Sequence, residues 1–382
     1  MKKILIVSGF GIKSTFPNAI CELKIVELLK KDPEIEIDIA CDGVVEKTPV
    51  LNWKKNPWYM LRRIMLWPSI NPEVEKICKK EISECLKNKE YDCLFIPHKP
   101  YEIVHAGERA VKKYSKIKLF LYELDPIANE IDANNGVGKY LFFLTNRAEK
   151  RAYKLADHIF HMECNRKKYS GKKYIKFADK SSYLDFPLIE HQEREGKKAE
   201  EYKGEPVLFV FSGAVDNTYR SPKYLVRLME YVYKFIPIQM HFYTKGNSTV
   251  YIEAESHEND CISLHGYIPK KELDKKIDDA DCLVNIGNKF STMLPSKLLS
   301  YFMTGKPIIH IKNQNDDACI SYLKRYGLCI IINETDSIEK SGKKLIEFVR
   351  HTYKCRLSAE YIERTFVQNT PEWNVKEIKK YL

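Results

Sequence analysis

Pro295, Ser296 and Lys297 open an apolar stretch, MLPSKLLSYFMTGKPIIHI, that runs from Met293 to Ile311. The pattern predicts a helix feeding a buried strand, with Pro295 at its first position and Ser296 and Lys297 in its first turn. A lysine there opposes the usual preference for acids at a helix start. An anionic ligand would resolve the conflict, because free N–H groups, a hydroxyl and an ammonium would meet its phosphates together. Ser300 lies four residues after Ser296, on the same helix face. A second such place is FSGAVDNTYRSPKYL, where Gly213 follows an apolar run and Arg220 and Lys223 precede the next helix. Cations beside helix N–H groups suit a diphosphate, although two solvated surface cations fit this loop equally well.

A third loop, SGFGIKSTFPN, carries Gly9 and Gly11 after the first apolar run. Glycines there allow close backbone approach by a ligand or serve only a tight turn. The dinucleotide spacing Gly-x-Gly-x-x-Gly is incomplete, with Ser14 at its third position, and no Walker pattern is present. His98, Glu123 and Asp125 follow two further apolar runs, YDCLFIP and KIKLFLYE.

The elements that must position these groups alternate strand and helix in both halves. Short apolar runs such as KKILIVS, EIEIDIA and PVLFVFSG read as strands, with amphipathic stretches between them as helices. Such alternation predicts parallel sheets with right-handed crossovers. The fold class expected is α/β, with two doubly wound Rossmann-like domains facing across a cleft. The expected boundaries are residues 1–190, a polar linker at 191–206 within EHQEREGKKAEEYKGEP, a second domain at 207–365, and a terminal helix at 366–382 packing back on the first. Ligands of such domains bind beyond the carboxyl ends of the strands, where all of these candidate residues fall.

Composition narrows the class. The chain has 382 residues, 44% hydrophobic and 30% charged, enough for two cores. Its net charge of +11 suits phosphorylated ligands, polyanions or an anionic membrane, and its lysines read as dispersed over a solvated surface. No nucleic-acid-binding motif accompanies the charge, so a nucleic acid partner is not expected. Eleven scattered cysteines with no Cys-x-x-Cys pair read as reduced core thiols, with no disulfide frame or metal site, as in the cytosol. The run Ile4–Val7 is too short for a signal-peptide core, and no segment approaches the ~18 apolar residues of a spanning helix. In NWKKNPWYMLRRIMLWP, residues 52–68, aromatic and basic side chains occur together. They suit either an anionic bilayer surface, at the inner face of the plasma membrane, or packing on the first domain with snorkelling cations.

The order strand, SG loop with Arg220, LHGYIPKKEL, ADCLVNIGN, LPSKLLSYFMTGKPII resembles the C-terminal donor domain of GT-B type glycosyltransferases. It is most similar to the retaining, family 4-like branch that builds bacterial capsules and exopolysaccharides. The likeness covers about residues 207–332 by motif and the first half by architecture. It implies transfer of a sugar from a nucleotide-sugar to a hydroxyl of a glycan, often lipid-linked. The nucleotide-sugar is a substrate, and no metal or other cofactor is implied. By the same resemblance, Ser212, Gly213, Arg220 and Thr244 would approach the donor diphosphate, with Gly9 and Gly11 facing it. Tyr267 and Ile268 would hold the base, and Pro295, Ser296 and Lys297 the phosphates. Arg220 and Lys297 would stabilise the leaving group, while His98, Glu123 and Asp125 would serve the acceptor side. Relatives carry a glutamate five residues before Gly305 and another eight residues earlier; here those positions are Ser300 and Thr292. That departure bears on retention or inversion, and it keeps open a nucleotide-sugar epimerase or a non-catalytic sugar-nucleotide-binding partner on the same fold.

Overall fold

A computed structural model describes residues 1–12, 14, 16–48, 65, 67–69, 71–97, 99–128, 136–217, 220–289 and 294–382. His98, Thr292 and most of residues 52–68 lie outside the described residues.

Two compact units form, one of residues 1–188 with 368–382, the other of residues 189–367. In the first, β1 (Lys2–Val7), α1 (Pro17–Lys30), β2 (Ile35–Ala40), α2 (Val44–Lys47), α3 (Pro72–Asn88), β3 (Cys93–Pro97), α4 (Tyr101–Lys113), β4 (Lys118–Glu123), α5 (Gly136–Leu155), β5 (His158–Met162), α6 (Arg166–Tyr169) and β6 (Ser181–Leu184) follow in turn. The sheet order is β2-β1-β3-β4-β5-β6, all parallel. The central strands are buried on both faces, as crossover helices require; β3 is accordingly an apolar run without alternation, while β5 is equally buried but carries His158 and His161. β6 escapes sequence pattern because two of its four residues are serines. Ser181 and Ser182 receive their partners from His161 and His158 of the neighbouring strand.

In the second unit, β7 (Val207–Ala214), α7 (Lys223–Tyr233), β8 (Ile238–Lys245), α8 (Thr249–Glu258), β9 (Ile262–Leu264), α9 (Lys270–Asp279), β10 (Cys282–Ile286), α10 (Ser296–Thr304), β11 (Ile308–Lys312), α11 (Cys319–Tyr326), β12 (Cys329–Asn333), α12 (Ile338–Thr352) and α13 (Ala359–Thr365) build a sheet of order β12-β11-β10-β7-β8-β9, again all parallel. The chain then returns to the first unit, where α14 (Pro371–Lys379) packs on α1. Thr370 caps that helix by accepting from Trp373 N–H.

The stretch 191–206, expected as a linker, belongs to the second unit. Lys197 and Arg356 exchange backbone hydrogen bonds of 2.7 and 2.8 Å, Glu200 N–H donates to Tyr353 O at 2.9 Å, and Ala359 N–H donates to Arg194 O at 2.9 Å. Its side chains are polar because they face water; its backbone is nonetheless held, which composition does not report.

Candidate functional site

Of the residues expected to meet a diphosphate, Ser212, Gly213 and Arg220 lie together at the carboxyl ends of β7 and β10. Strand β7 runs two residues past Ser212, and Gly213 within it takes φ +146°. A side chain at Gly213 would point to the Arg220 guanidinium, 3.4 Å from Nη1, so the glycine makes room for the arginine. The loop is closed by a two-way backbone bridge between Asp216 and Arg220. Arg220 Nη2 donates to Asn288 Oδ1 at 2.7 Å, beyond the end of β10. Its Nε is buried with no partner, and no carboxylate ion pair to it is found among the described residues. Burial pulls its pKa down, and Asp317, which forms no ion pair with it, only partly offsets the loss of water.

Helix α10 begins at Ser296, with Pro295 as its N-cap. No side chain caps this end, and no acid stands in its first turn. Lys297 is half-buried, and burial pushes its ammonium pKa down. Asp274 opposes that shift and Lys270 reinforces it. Ser296 is half-buried and Ser300 is exposed. One turn after Lys297, on the same helix face, Tyr301 is fully buried and ties the helix to β7. Its hydroxyl accepts from Ser212 N–H at 2.9 Å and lies 3.0 Å from Ser212 Oγ. Ser212 is therefore satisfied by Tyr301. Thr244 is buried and donates its hydroxyl to Gly213 O, which closes the β7–β8 edge. Lys223 lies over the Tyr251 ring at 3.9 Å, turned to an aromatic face.

The loop after β9 carries Gly266 at φ +69°, then Tyr267 and Ile268. Tyr267 is 76% exposed, with Lys245 Nζ 5.1 Å from its ring centre. Nearby, Tyr243 and His265 stack with centroids 4.7 Å apart. A large aromatic left this open beside a cation can receive a planar base.

Beneath the site lies a cluster that sequence reasoning missed. Asn285 Nδ2 donates to His310 Nδ1 at 2.8 Å, so His310 presents its Nε2–H to Asp317 Oδ2 at 2.9 Å. Asp317 Oδ1 in turn accepts from Cys319 N–H at 2.8 Å. Burial disfavours charge on Asp317, but the hydrogen bonds from His310 and from Cys319 N–H hold its carboxyl below the usual range. His310, Asp317 and Cys319 have donor atoms within 4.8 Å of one another, close enough for metal ligation. Both histidine nitrogens are already hydrogen-bonded, and burial pushes the Cys319 thiol pKa well up, so the set is self-satisfied. Its visible work is to seat the neighbouring loop: a Cβ on Gly287 would stand 2.3 Å from Asp317 Oδ2. Asn313 and Gln314 hold Gly287 O and Asn288 O at 2.6 and 2.8 Å. No local motif signals this cluster, because its members come from β10, β11 and the start of α11.

In the first unit the candidate residues separate. Glu123 is fully buried, where it accepts from Tyr153 at 2.7 Å and Tyr169 at 2.6 Å and pairs with His161. It lies at a strand end as expected, but its side chain turns into the helix layer, so no carboxylate oxygen is offered to an acceptor. Gly9 and Gly11 are likewise occupied by packing. A Cβ on Gly9 would meet Pro100 at 3.0 Å, and one on Gly11, at φ +82°, would meet Gly43 Cα at 3.0 Å. Asp125 is half-buried and accepts from Asn18 Nδ2, at the start of α1, at 3.4 Å. In the same unit, Glu22 Oε1, the Tyr122 hydroxyl and both amide atoms of Asn165 are buried without a hydrogen-bond partner. Glu22 shares a 3.1 Å hydrogen bond with Ser8, and burial raises its pKa to about 8. Such orphaned groups call for water or a ligand hydroxyl.

Two parallel six-stranded sheets with flanking helices define a protein of two Rossmann-like domains. Solved structures with this architecture match over the whole chain. Sucrose-phosphate synthase from Thermosynechococcus elongatus gives a TM-score of 0.66 at 10% identity, covering 100% of this chain and 98% of its own. Anabaena HepE in complex with UDP-glucose gives 0.59 at 10% identity, covering both chains fully. A putative UDP-N-acetylglucosamine 2-epimerase from Listeria monocytogenes gives 0.58 at 12% identity, covering 99% and 95%. No protein-family model and no curated protein sequence matches.

Proposed function

We propose that this protein is a glycosyltransferase that moves a sugar from a nucleotide-sugar to a hydroxyl of a glycan, in cell-surface polysaccharide synthesis. The observation that carries the reading is Arg220, a guanidinium largely withdrawn from water with a neutral amide as partner and an unpaired Nε. A diphosphate supplies the charge it lacks. Lys297 and the uncapped start of α10 add to the same anion, and Tyr267 receives the base. As the sugar leaves, negative charge builds on the diphosphate. Arg220 and Lys297 then stabilise it without reorganising, the role a metal ion plays elsewhere. Ser300, exposed on α10, is assigned a hydrogen bond to a ribose hydroxyl. Asp125 and His98 are assigned to the acceptor side.

A nucleotide-sugar epimerase is the second reading, supported by the fold's likeness to a putative UDP-N-acetylglucosamine 2-epimerase. Thermal-shift measurements with a nucleoside-diphosphate panel, followed by product analysis with nucleotide-sugars, separate the readings. Sugar transfer to an added acceptor supports the first, and isomerisation without acceptor the second. Binding without turnover across donor and acceptor pairs makes the protein a non-catalytic partner. Absence of any nucleotide-diphosphate binding overturns all three.

A further inference from the structure

The net charge is not dispersed. Between Lys139 and Lys180 stand twelve Lys and Arg against four Asp and Glu, a net +8 of the chain's +11. Helix α5 (Gly136–Leu155) opens this stretch and organises it. Its single acid, Glu149, is fully buried and bonded to Tyr169 and Tyr174. Its outer face carries Lys139, Tyr140, Phe143, Arg147 and Lys154, all exposed. At 100° per residue these five fall within an arc of about 100°, one continuous stripe. Tyr140 and Phe143 are 56% and 59% exposed, unusual for aromatic side chains on a helix whose opposite face already fills a core.

The next segment extends the surface. Tyr174 donates to Asn146 on α5 at 3.0 Å, and Lys150 lies 5.1 Å from its ring centre. Beside it, Lys172, Lys173 and Lys176 are exposed around Ile175, itself 58% exposed.

We propose that this face of the first unit docks on an anionic lipid surface, with Tyr140, Phe143 and Ile175 entering the headgroup boundary. Charge complementarity favours it, since each cation near such a surface adds a comparable attraction. The interleaved apolar side chains favour a bilayer over a folded acidic protein, because they need a medium to enter. The proposal deepens the glycosyl-transfer reading by siting a lipid-linked acceptor, yet its test requires no turnover, so either can fail alone.

The full chain is cosedimented with vesicles of phosphatidylcholine alone or with about a third phosphatidylglycerol. Binding is expected only to the anionic vesicles and is lost in high salt. Lys172→Glu with Lys173→Glu and Lys176→Glu should lower it about tenfold or more. Tyr140→Ser with Phe143→Ser should also lower it, at unchanged thermal melting. The same number of reversals in the second unit, Lys271→Glu, Lys324→Glu and Lys344→Glu, should leave it near the parent level; should a first-unit variant fail to fold, single Arg147→Glu takes its place. Equal binding to both vesicle types, or equal loss from the second-unit variant, overturns the proposal. Preferential binding of single-stranded DNA that anionic vesicles do not displace also overturns it, and reassigns the surface to nucleic acid.

Discussion

Arg220 and Lys297 share one electrostatic predicament: each is partly stripped of water, and neither has a carboxylate partner among the described residues. For a diphosphate ligand, Lys297→Ala should weaken nucleoside-diphosphate binding by about 10- to 100-fold, the worth of a hydrogen bond to a charged group. Nucleoside binding should hardly change, and calorimetry of both ligands reads the difference; equal losses would sink the phosphate assignment. Tyr301→Phe tests the support beneath. It strands Ser212 N–H in a buried place, so a loss of about 1–3 kcal/mol in urea unfolding is expected. Glu22 makes a pH prediction. Its folded pKa of about 8 lies above the ordinary 4.5, so between those values the folded state holds a proton that the unfolded state releases. Stability from this group is fully present below pH 4.5 and declines as pH rises toward 8. Glu22→Gln should flatten that decline in unfolding curves taken at several pH values; an unchanged slope would contradict it.

At the scale of elements, the Thr-Gly-Lys-Pro turn after α10 is built for packing. Gly305 takes φ +71°, and a Cβ there would stand 2.4 Å from Leu357 O. Lys306 donates to Asp278 O and Ala280 O at the end of α9, and burial lowers its pKa to about 8. Gly305→Ala should cost about 2–4 kcal/mol through strain and overlap together, measured by chemical denaturation. The periodicity of α10 and of the strands around it is legible in sequence, because a strand buried on both faces is mostly apolar, Asn285 and His310 being the exceptions in β10 and β11. Arg220, Ser296 and Lys297 are legible as candidates because they break a local rule or follow a strand. The orientation of Glu123 is not legible, since alternate residues of a central strand face two helix layers and both are buried. Nor is the Asn285–His310–Asp317 chain, whose members meet only when β10 and β11 pair.

For the whole molecule, two units of similar construction each close their own core, and a ligand held by one should stabilise that one first. A nucleoside diphosphate at a hundred times its Kd should add about 2.7 kcal/mol to unfolding of the second unit. Hydrogen exchange should show the added protection in residues 207–312 around β7, β10 and α10; protection confined to the first unit would remove the donor assignment. The amino-acid order by itself determined two α/β domains, because apolar runs of strand length separated by amphipathic helices admit parallel crossover packing and little else. Tertiary structure alone decided which cations lack partners, which acids are sealed in, that 191–206 joins the second unit, and that exposed aromatic side chains share a face with part of the basic stretch 139–180. Those outcomes depend on which side chains from distant segments come within reach and which are left to water, and that is set only when the sheets close.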